Sequence, residues 1–232
     1  MVFPIHPQLP VCPRPRGSIA RAWGLAESPE HISESPKSSP TPEEMSLEVS
    51  RPPRELPNLA TFSLPKVAVF DLDETCWNHY GLDHKPTFRP PFRWCPSRRR
   101  VLDVTERQVK VFPELPRVLL SLHQAGVQIA VASHNTKPDW SGEVMDAFVL
   151  DDATGLTWGS LVPPELRVIN CDGEFWPGKA AHLKRIVANL KGGPCEFKEV
   201  LMFDDSKSVC AGVGKLGVIG VRCVGGVSME HL

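Results

Sequence analysis

The chain has 232 residues, of which 41% are hydrophobic and 23% charged, and its net charge at pH 7 is −1. This length suits one well-cored domain with extensions and is too short for two full domains. The balanced charge excludes a global basic field for nucleic acid, and no apolar run reaches the roughly 18 residues of a membrane span. We therefore expect neither nucleic-acid nor membrane partners.

Residues 1–60 are predicted to be a disordered extension. More than half of the 24 prolines precede residue 66, together with a serine-rich run at 33–41. Such a segment cannot bury enough apolar surface to offset its ordering entropy. Residues 1–26 contain three arginines and no acid, so an organelle transit peptide remains an alternative. The seven cysteines form no C-x-x-C pair, which favours reduced thiols and a cytoplasmic location.

From Lys66 onward, predicted strands and helices alternate, and residues 61–232 are expected to form one domain. The predicted strands are 67–70, 127–132, 167–170, 199–203 and 218–224. The predicted helices are 113–124, 143–148, 178–190 and 206–215. Repeated β-α-β alternation predicts an α/β fold, a three-layer α/β/α Rossmann-like parallel sheet with right-handed crossovers.

A polar segment, residues 77–110, interrupts this alternation between the first strand and the first helix. It contains Pro90-Pro91-Phe92 and the run Arg98-Arg99-Arg100. A connection of this length in a compact domain is usually a functional lid or a binding loop, so we expect it to fold over the site. The arginine run favours a solvated charge cluster, with recognition of an acidic substrate as the alternative.

Polar residues follow the ends of successive predicted strands and one helix start, and in a doubly wound sheet these ends meet at one edge. These residues are Asp71, Asp73, Thr75, Ser133, His134, Lys179, Asp204 and Asp205. Carboxylates at such an edge can hold a hard cation, attack phosphorus and move a proton. Ser133 and Lys179 suit a phosphate dianion, which needs hydrogen-bond donors and neutralisation. The pattern therefore indicates phosphate chemistry.

These motifs resemble those of a known superfamily. Asp71-Leu72-Asp73-Glu74-Thr75, Ser133, Lys179 and Asp204-Asp205 are similar to the four motifs of the haloacid dehalogenase (HAD) superfamily. Within it, the chain most resembles the magnesium-dependent phosphatase family. The further similar segments are Trp77, Pro90-Pro91-Phe92, Phe112-Pro113-Glu114-Leu115-Pro116, Trp176-Pro177-Gly178-Lys179, His182 and Leu216-Gly217-Val218. The resemblance covers residues 66 to about 230.

The resemblance implies a Mg²⁺-dependent phosphatase that hydrolyses phosphomonoesters through an aspartyl-phosphate. Asp71 would be the nucleophile, and Asp73 would protonate the leaving alkoxide and later deprotonate water. Mg²⁺ would be held by Asp71, the backbone carbonyl of Asp73 and Asp204. Asp205 would orient Lys179 or a metal-bound water.

The remaining site residues would contact the substrate. Thr75 and Ser133 would donate hydrogen bonds to phosphoryl oxygens, and Lys179 would neutralise them. His134 replaces an arginine of the resembled family and cannot offer its bidentate fork. Two interpretations of His134 are therefore kept: it contacts the substrate, or it lies on the loop surface.

Several alternatives also remain open at this point. A catalytically idle member could bind a phosphorylated partner through the same pocket. The Asp-Leu-Asp-Glu-Thr motif also resembles protein phosphatases of the polymerase C-terminal-domain type. The substrate could be a phosphotyrosine protein or a sugar phosphate, and we expect a monomer.

Overall fold

A short apolar run forms the centre of the sheet, because all four residues of β1, Val67–Phe70, are fully buried. The computed structural model describes residues 64–78, 82, 88–169 and 179–232. The extension predicted for residues 1–60 lies outside these described residues. Within them, no helix combines the length and the apolar character needed to cross a membrane.

The main sheet consists of five parallel strands in the order β10-β9-β1-β5-β8. Its members besides β1 are β5 (Gln128–Ser133), β8 (Arg167–Ile169), β9 (Val200–Asp204) and β10 (Ile219–Arg222). The helices are α1 (Leu115–Gln124), α2 (Pro138–Ala147), α3 (Trp158–Leu161), α4 (Ala180–Ala188) and α5 (Lys207–Gly214). A parallel sheet flanked by helices confirms the predicted α/β Rossmann-like fold.

The register of the sheet sets the position of the site. Phe70 of β1 pairs with Val131 of β5 on one side and with Phe203 of β9 on the other. The three strands therefore end at the same level, and the next residue along each strand reaches the same edge. The chain continues from β1 to β5 on one side of β1, and β9 later pairs with β1 on its other side. The edge between these two sides is therefore a topological switch point, where α/β sheets bind ligands.

Most predicted elements are present, with shifted ends. The predicted helix 143–148 in fact begins five residues earlier, because Pro138 lies in its first turn, where a missing N–H costs nothing. Lys179 is the residue that caps α4 and precedes its first turn. After α1 the chain turns at Gly126, whose φ of 78° is left-handed and accessible to glycine.

Residues 93–109, within the segment predicted as a lid, form a small sheet of their own. Its strands β2 (Arg93–Cys95), β3 (Arg100–Leu102) and β4 (Gln108–Val109) pair in antiparallel fashion. We call residues 88–110 the insertion sheet. It packs beside α2, where the backbone N–H of Phe92 donates to Glu143. Its role as a lid stays a prediction.

A hairpin that was not predicted from the sequence lies between α2 and α3 and consists of β6 (Val149–Asp151) and β7 (Leu156–Thr157). Trp158 at the start of α3 is fully buried and packs edge-on against Trp77, with 5.7 Å between ring centroids. This contact joins the hairpin region to the loop that follows β1.

Candidate active site

Three charged side chains meet at the edge of the sheet. Asp71 directly follows β1, Asp204 ends β9, and Lys179 caps α4. The Lys179 ammonium donates to Asp71 Oδ1 and to the carbonyl oxygen of Ala132, the latter at 2.6 Å. It also lies 3.1 Å from Asp204 Oδ2. Lys179 is only 3% exposed, so it forms a buried ion-pair network with both carboxylates.

The charges of this network shift the pKa values of its members. Burial alone would lower the pKa of Lys179, but Asp71 and Asp204 outweigh it, and the pKa is raised. Lys179 therefore stays a cation. Burial, together with the charge of Asp71, raises the pKa of Asp204 despite the nearby lysine. Burial and the charge of Asp204 likewise raise the pKa of Asp205.

The carboxylates of Asp71, Asp204 and Asp205 fit a divalent cation. One oxygen of each lies within 4.8 Å of one oxygen of the others. Asp204 Oδ2 is buried and accepts no well-aligned hydrogen bond from any described residue, although it lies close to the Lys179 ammonium. Buried carboxylate oxygens are normally satisfied, and a hard cation with oxygen ligands would satisfy this one. Three carboxylates against one ammonium also leave excess negative charge.

Asp73 lies in a different environment, between two neutral donors. Trp77 Nε1 donates to Asp73 Oδ1 at 2.7 Å, and Asn135 Nδ2 donates to Asp73 Oδ2 at 3.0 Å. Asn135 is 4% exposed and is itself held, because its Oδ1 accepts the backbone N–H of Lys137 at 2.8 Å. The carboxyl group of Asp73 is thus fixed in orientation from both sides.

The two predicted hydroxyl donors are buried near these acids. Thr75 Oγ1 accepts the backbone N–H of Asp205 at 3.0 Å, and Ser133 Oγ accepts the backbone N–H of Asn135 at 3.2 Å. A hydroxyl that accepts one hydrogen bond still has its own proton to donate. Contact with a phosphoryl oxygen stays a prediction for both residues. The observed bonds show that Thr75 also fixes the loop after β9.

The rings of two histidines are in contact where β5 ends. His134 is exposed, and its ring meets the His182 ring edge-on with 4.7 Å between centroids. His182 is buried in α4, and burial, with His134 and Lys179, lowers its pKa to about 4. The neutral ring lies with Nε2 3.2 Å from the Ser133 carbonyl, so Nε2 carries the proton. Partial desolvation of the otherwise exposed ring and the positive charge of Lys179 also lower the pKa of His134.

Eight site residues were predicted from the sequence. The structure brings seven of them to this edge through direct hydrogen bonds or ion pairs, and His134 lies at the rim. Sequence reasoning did not identify Asn135, whose contact with Asp73 depends on the turn after β5. It also missed that the Cys76 thiol donates to the Asp71 carbonyl at 3.0 Å. Glu74 adopts a left-handed φ of 59°, and burial and Asp205 raise its pKa.

Comparison with known proteins gives consistent results. The sequence profile of the acid phosphatase family matches residues 63–232. Magnesium-dependent phosphatase 1 of Homo sapiens is 30% identical over 170 residues, which cover 73% of this chain and 84% of that protein. A relative from Saccharomyces cerevisiae, which also bears a magnesium-dependent phosphatase name, is 27% identical over 149 residues. That match covers 61% of this chain and 77% of the yeast protein.

Proposed function

This chain belongs to the acid phosphatase family and is a phosphoric monoester hydrolase, and we propose that Asp71 is its nucleophile. The observation that carries the proposal is the buried network in which Lys179 contacts both Asp71 and Asp204. A carboxylate at a strand end, fixed by a buried cation, is positioned to attack phosphorus rather than to serve packing. The phosphate would lie between this carboxylate and the donors Thr75 and Ser133.

Mg²⁺ is the cofactor that the donor set and the magnesium-dependent relatives support. Asp71, the backbone carbonyl of Asp73 and Asp204 would hold it, and Asp205 would orient a water or the lysine nearby. When bound, Mg²⁺ neutralises charge so that an anionic phosphate can approach an anionic carboxylate. All of these groups would offer oxygen ligands, which this hard ion prefers.

The protein residues carry out two displacements at phosphorus. In the first, a carboxylate oxygen of Asp71 forms a bond to phosphorus while the bond to the alcohol oxygen breaks, and Asp73 gives its proton to that alkoxide. In the second, Asp73 takes a proton from water, the water oxygen bonds to phosphorus, and the Asp71 carboxylate is released. Trp77 and Asn135 hold the carboxyl group of Asp73 in place for both proton transfers.

The nucleophile is tested by the Asp71→Asn variant. We expect no release of phosphate from p-nitrophenyl phosphate, because an amide cannot form the acyl-phosphate bond. The far-UV circular dichroism should stay close to that of the wild type, since Asn preserves the shape of the side chain and Lys179 keeps Asp204 as its ion-pair partner. Turnover near the wild-type rate would contradict the assignment.

Removal of the metal tests the cofactor separately. Dialysis against EDTA should abolish hydrolysis of p-nitrophenyl phosphate, and added Mg²⁺ should restore it. Asp204→Asn should raise the Mg²⁺ concentration that gives half-maximal activity, because one of the proposed ligands loses its charge. Full activity in EDTA would contradict the role of the cation.

A further inference from the structure

A cleft of about 490 Å³ lies apart from the catalytic acids, between the insertion sheet, the start of α1 and β6. We call it the arginine cleft, because Arg99, Arg100 and Arg117 line it together with the rings of Trp94, Phe112 and Phe148. Its volume lies in the range of about 300–1,000 Å³ that is usual for binding pockets. Arg99 and Arg100 belong to the arginine run at residues 98–100, for which recognition of an acidic substrate was one of the two interpretations of the sequence.

The arginine cleft carries excess positive charge. Arg99 pairs with Asp152, whereas Arg100 donates to the neutral amide of Gln108, with Nη1 2.7 Å from Oε1, and forms no ion pair within the described part of the chain. Arg117 forms no ion pair with any residue that the structure describes, and no carboxylate lines the cleft. Two guanidinium groups are thus free to bind carboxylates, which their planar donor forks fit.

The nearest acid in sequence does not neutralise the arginine cleft. Glu114 lies between Pro113 and Pro116 of its lining, but its Oε2 accepts the backbone N–H of Met229 at 2.8 Å. This bond directs the carboxylate to the C-terminal segment. The positive charge of Arg117 therefore remains available to a ligand.

The floor of the arginine cleft is apolar. Trp94 and Phe148 meet edge-on with 5.5 Å between ring centroids, and Val109 and Val111 lie beside them. A ligand that uses both features carries carboxylates and at least one apolar side chain, as an acidic peptide segment does. Nucleic acid is disfavoured, because the chain has a net charge of −1, which gives no overall attraction to a phosphate backbone.

The wall of the arginine cleft is bonded to the loop that carries the catalytic acids. The backbone N–H of Phe112 donates to the carbonyl of Cys76 at 3.0 Å, and Val111 forms a β-bridge with Trp77. The Cys76 thiol in turn donates to the Asp71 carbonyl. A chain seated in the cleft would therefore adjoin the loop of Asp71 and Asp73.

We propose that the arginine cleft binds an acidic, partly apolar segment of a phosphoprotein substrate, outside the site that holds the phosphate. The proposal rests on the proposed function and names its substrate class. The guanidinium groups contact carboxylates of the segment, and the aromatic floor packs against an apolar side chain. Binding energy at the cleft holds the segment while the phosphorylated residue reaches Asp71.

The catalytic experiment compares two phosphotyrosine peptides of equal length, one flanked by Glu and Leu and the other by Gln and Leu. We expect kcat/KM for the acidic peptide to be about tenfold higher, since two lost charge contacts correspond to this range. The Arg100→Gln/Arg117→Gln double variant should remove the difference through KM. Its activity on p-nitrophenyl phosphate should equal that of the wild type, because neither arginine contacts the catalytic acids.

The matched control is Lys184→Gln/Lys215→Gln, which removes two positive charges at exposed positions on α4 and after α5. This variant should retain the full preference for the acidic peptide. The proposal is overturned if the wild type shows no preference, or if both double variants lose it equally. Equal loss would mean that net charge alone, rather than the cleft, attracts the peptide.

A binding experiment separates this proposal from the proposed function. Anisotropy of a labelled, unphosphorylated Glu-Leu peptide should show binding by the wild type, and the two arginine substitutions should weaken it about tenfold. If hydrolysis of p-nitrophenyl phosphate fails while this binding holds, the proposed function is contradicted and the cleft is supported. Equal binding by wild type and variant, or equally arginine-dependent binding of a short oligonucleotide, overturns the peptide assignment.

Discussion

Asp71 and Asp73 are two residues apart, yet they lie in opposite kinds of environment. We call the network of Asp71, Lys179 and Asp204 the charged half of the site, because the side chains in it are buried and charged. Asp73 with Trp77 and Asn135 forms the neutral half, where uncharged donors hold the carboxyl group. In the proposed mechanism, this difference in environment, rather than the residue type, separates the acid that attacks from the acid that transfers a proton.

The largest expected effect comes from breaking the charged half with Lys179→Met. The substitution leaves the buried carboxylates of Asp71 and Asp204 without their cation, and removal of one partner from a buried ion pair costs about 3–5 kcal/mol of stability. Hydrolysis of p-nitrophenyl phosphate should fall by about 10²–10³-fold, because the transition state also loses a charged donor. Urea unfolding and initial rates measure the two effects.

The control for this variant is Lys184→Met on the same helix, where the lysine is exposed. Its free energy of unfolding and its rate should stay near the wild-type values. If Lys179→Met were as stable as this control, the charged half would not be the buried network described for it. Added Mg²⁺ should recover part of the lost stability, since it restores positive charge between the carboxylates.

An intermediate effect is expected in the neutral half, from Asn135→Ala. Loss of the amide donor frees one side of the Asp73 carboxyl group, so kcat should fall by about 10–100-fold, within the usual contribution of general acid–base catalysis. KM should change little, because the Asn135 amide donates to Asp73 and is not among the proposed phosphate donors. Steady-state kinetics on p-nitrophenyl phosphate separate the two constants.

A double-variant comparison shows whether Asn135 acts through Asp73. In an Asp73→Asn background, Asn135→Ala should cost little further activity, because the group that it positions no longer transfers a proton. Trp77→Phe should behave in the same way in that background, since it withdraws the other donor. If Asn135→Ala reduced activity as strongly in the Asp73→Asn background as in the wild type, Asn135 would act on a group other than Asp73.

The charged half could be predicted from sequence, whereas in the neutral half Asp73 could be predicted and its two hydrogen-bond donors could not. Asp71 and Asp204 directly follow or end predicted strands, and parallel strands in register bring such residues to one edge whatever the loops do. Asn135 meets Asp73 across 62 residues of sequence, through the turn after β5. That contact depends on loop dihedrals, which leave no periodic pattern in the sequence.

The same reason explains the errors in the fold. The central strands β1, β5 and β9 were predicted because each is a mostly buried apolar run. The hairpin of β6 and β7 has strands of three and two residues, which are too short to show alternation. The insertion sheet is equally short-stranded, and its arginines and prolines indicated a loop.

The smallest expected effect concerns His182, which supports the rim beside both halves. Its pKa of about 4 lies below the unfolded value of about 6.5, because burial, His134 and Lys179 disfavour the charged ring. Between these pH values the unfolded chain binds a proton that the folded chain does not, so stability falls as the pH drops through this window. His134, whose pKa is also lowered, contributes with the same sign.

The His182→Gln variant isolates this contribution, since the amide can still donate to the Ser133 carbonyl without binding a proton. Between pH 6.5 and 4, the wild type should lose about 1–3 kcal/mol more of its free energy of unfolding than the variant does. Urea titrations at matched pH values measure the difference, and titration of the aspartates cancels between the two proteins. Parallel pH profiles would mean that the folded ring titrates normally, and the neutral tautomer assigned from the Ser133 contact would then be wrong.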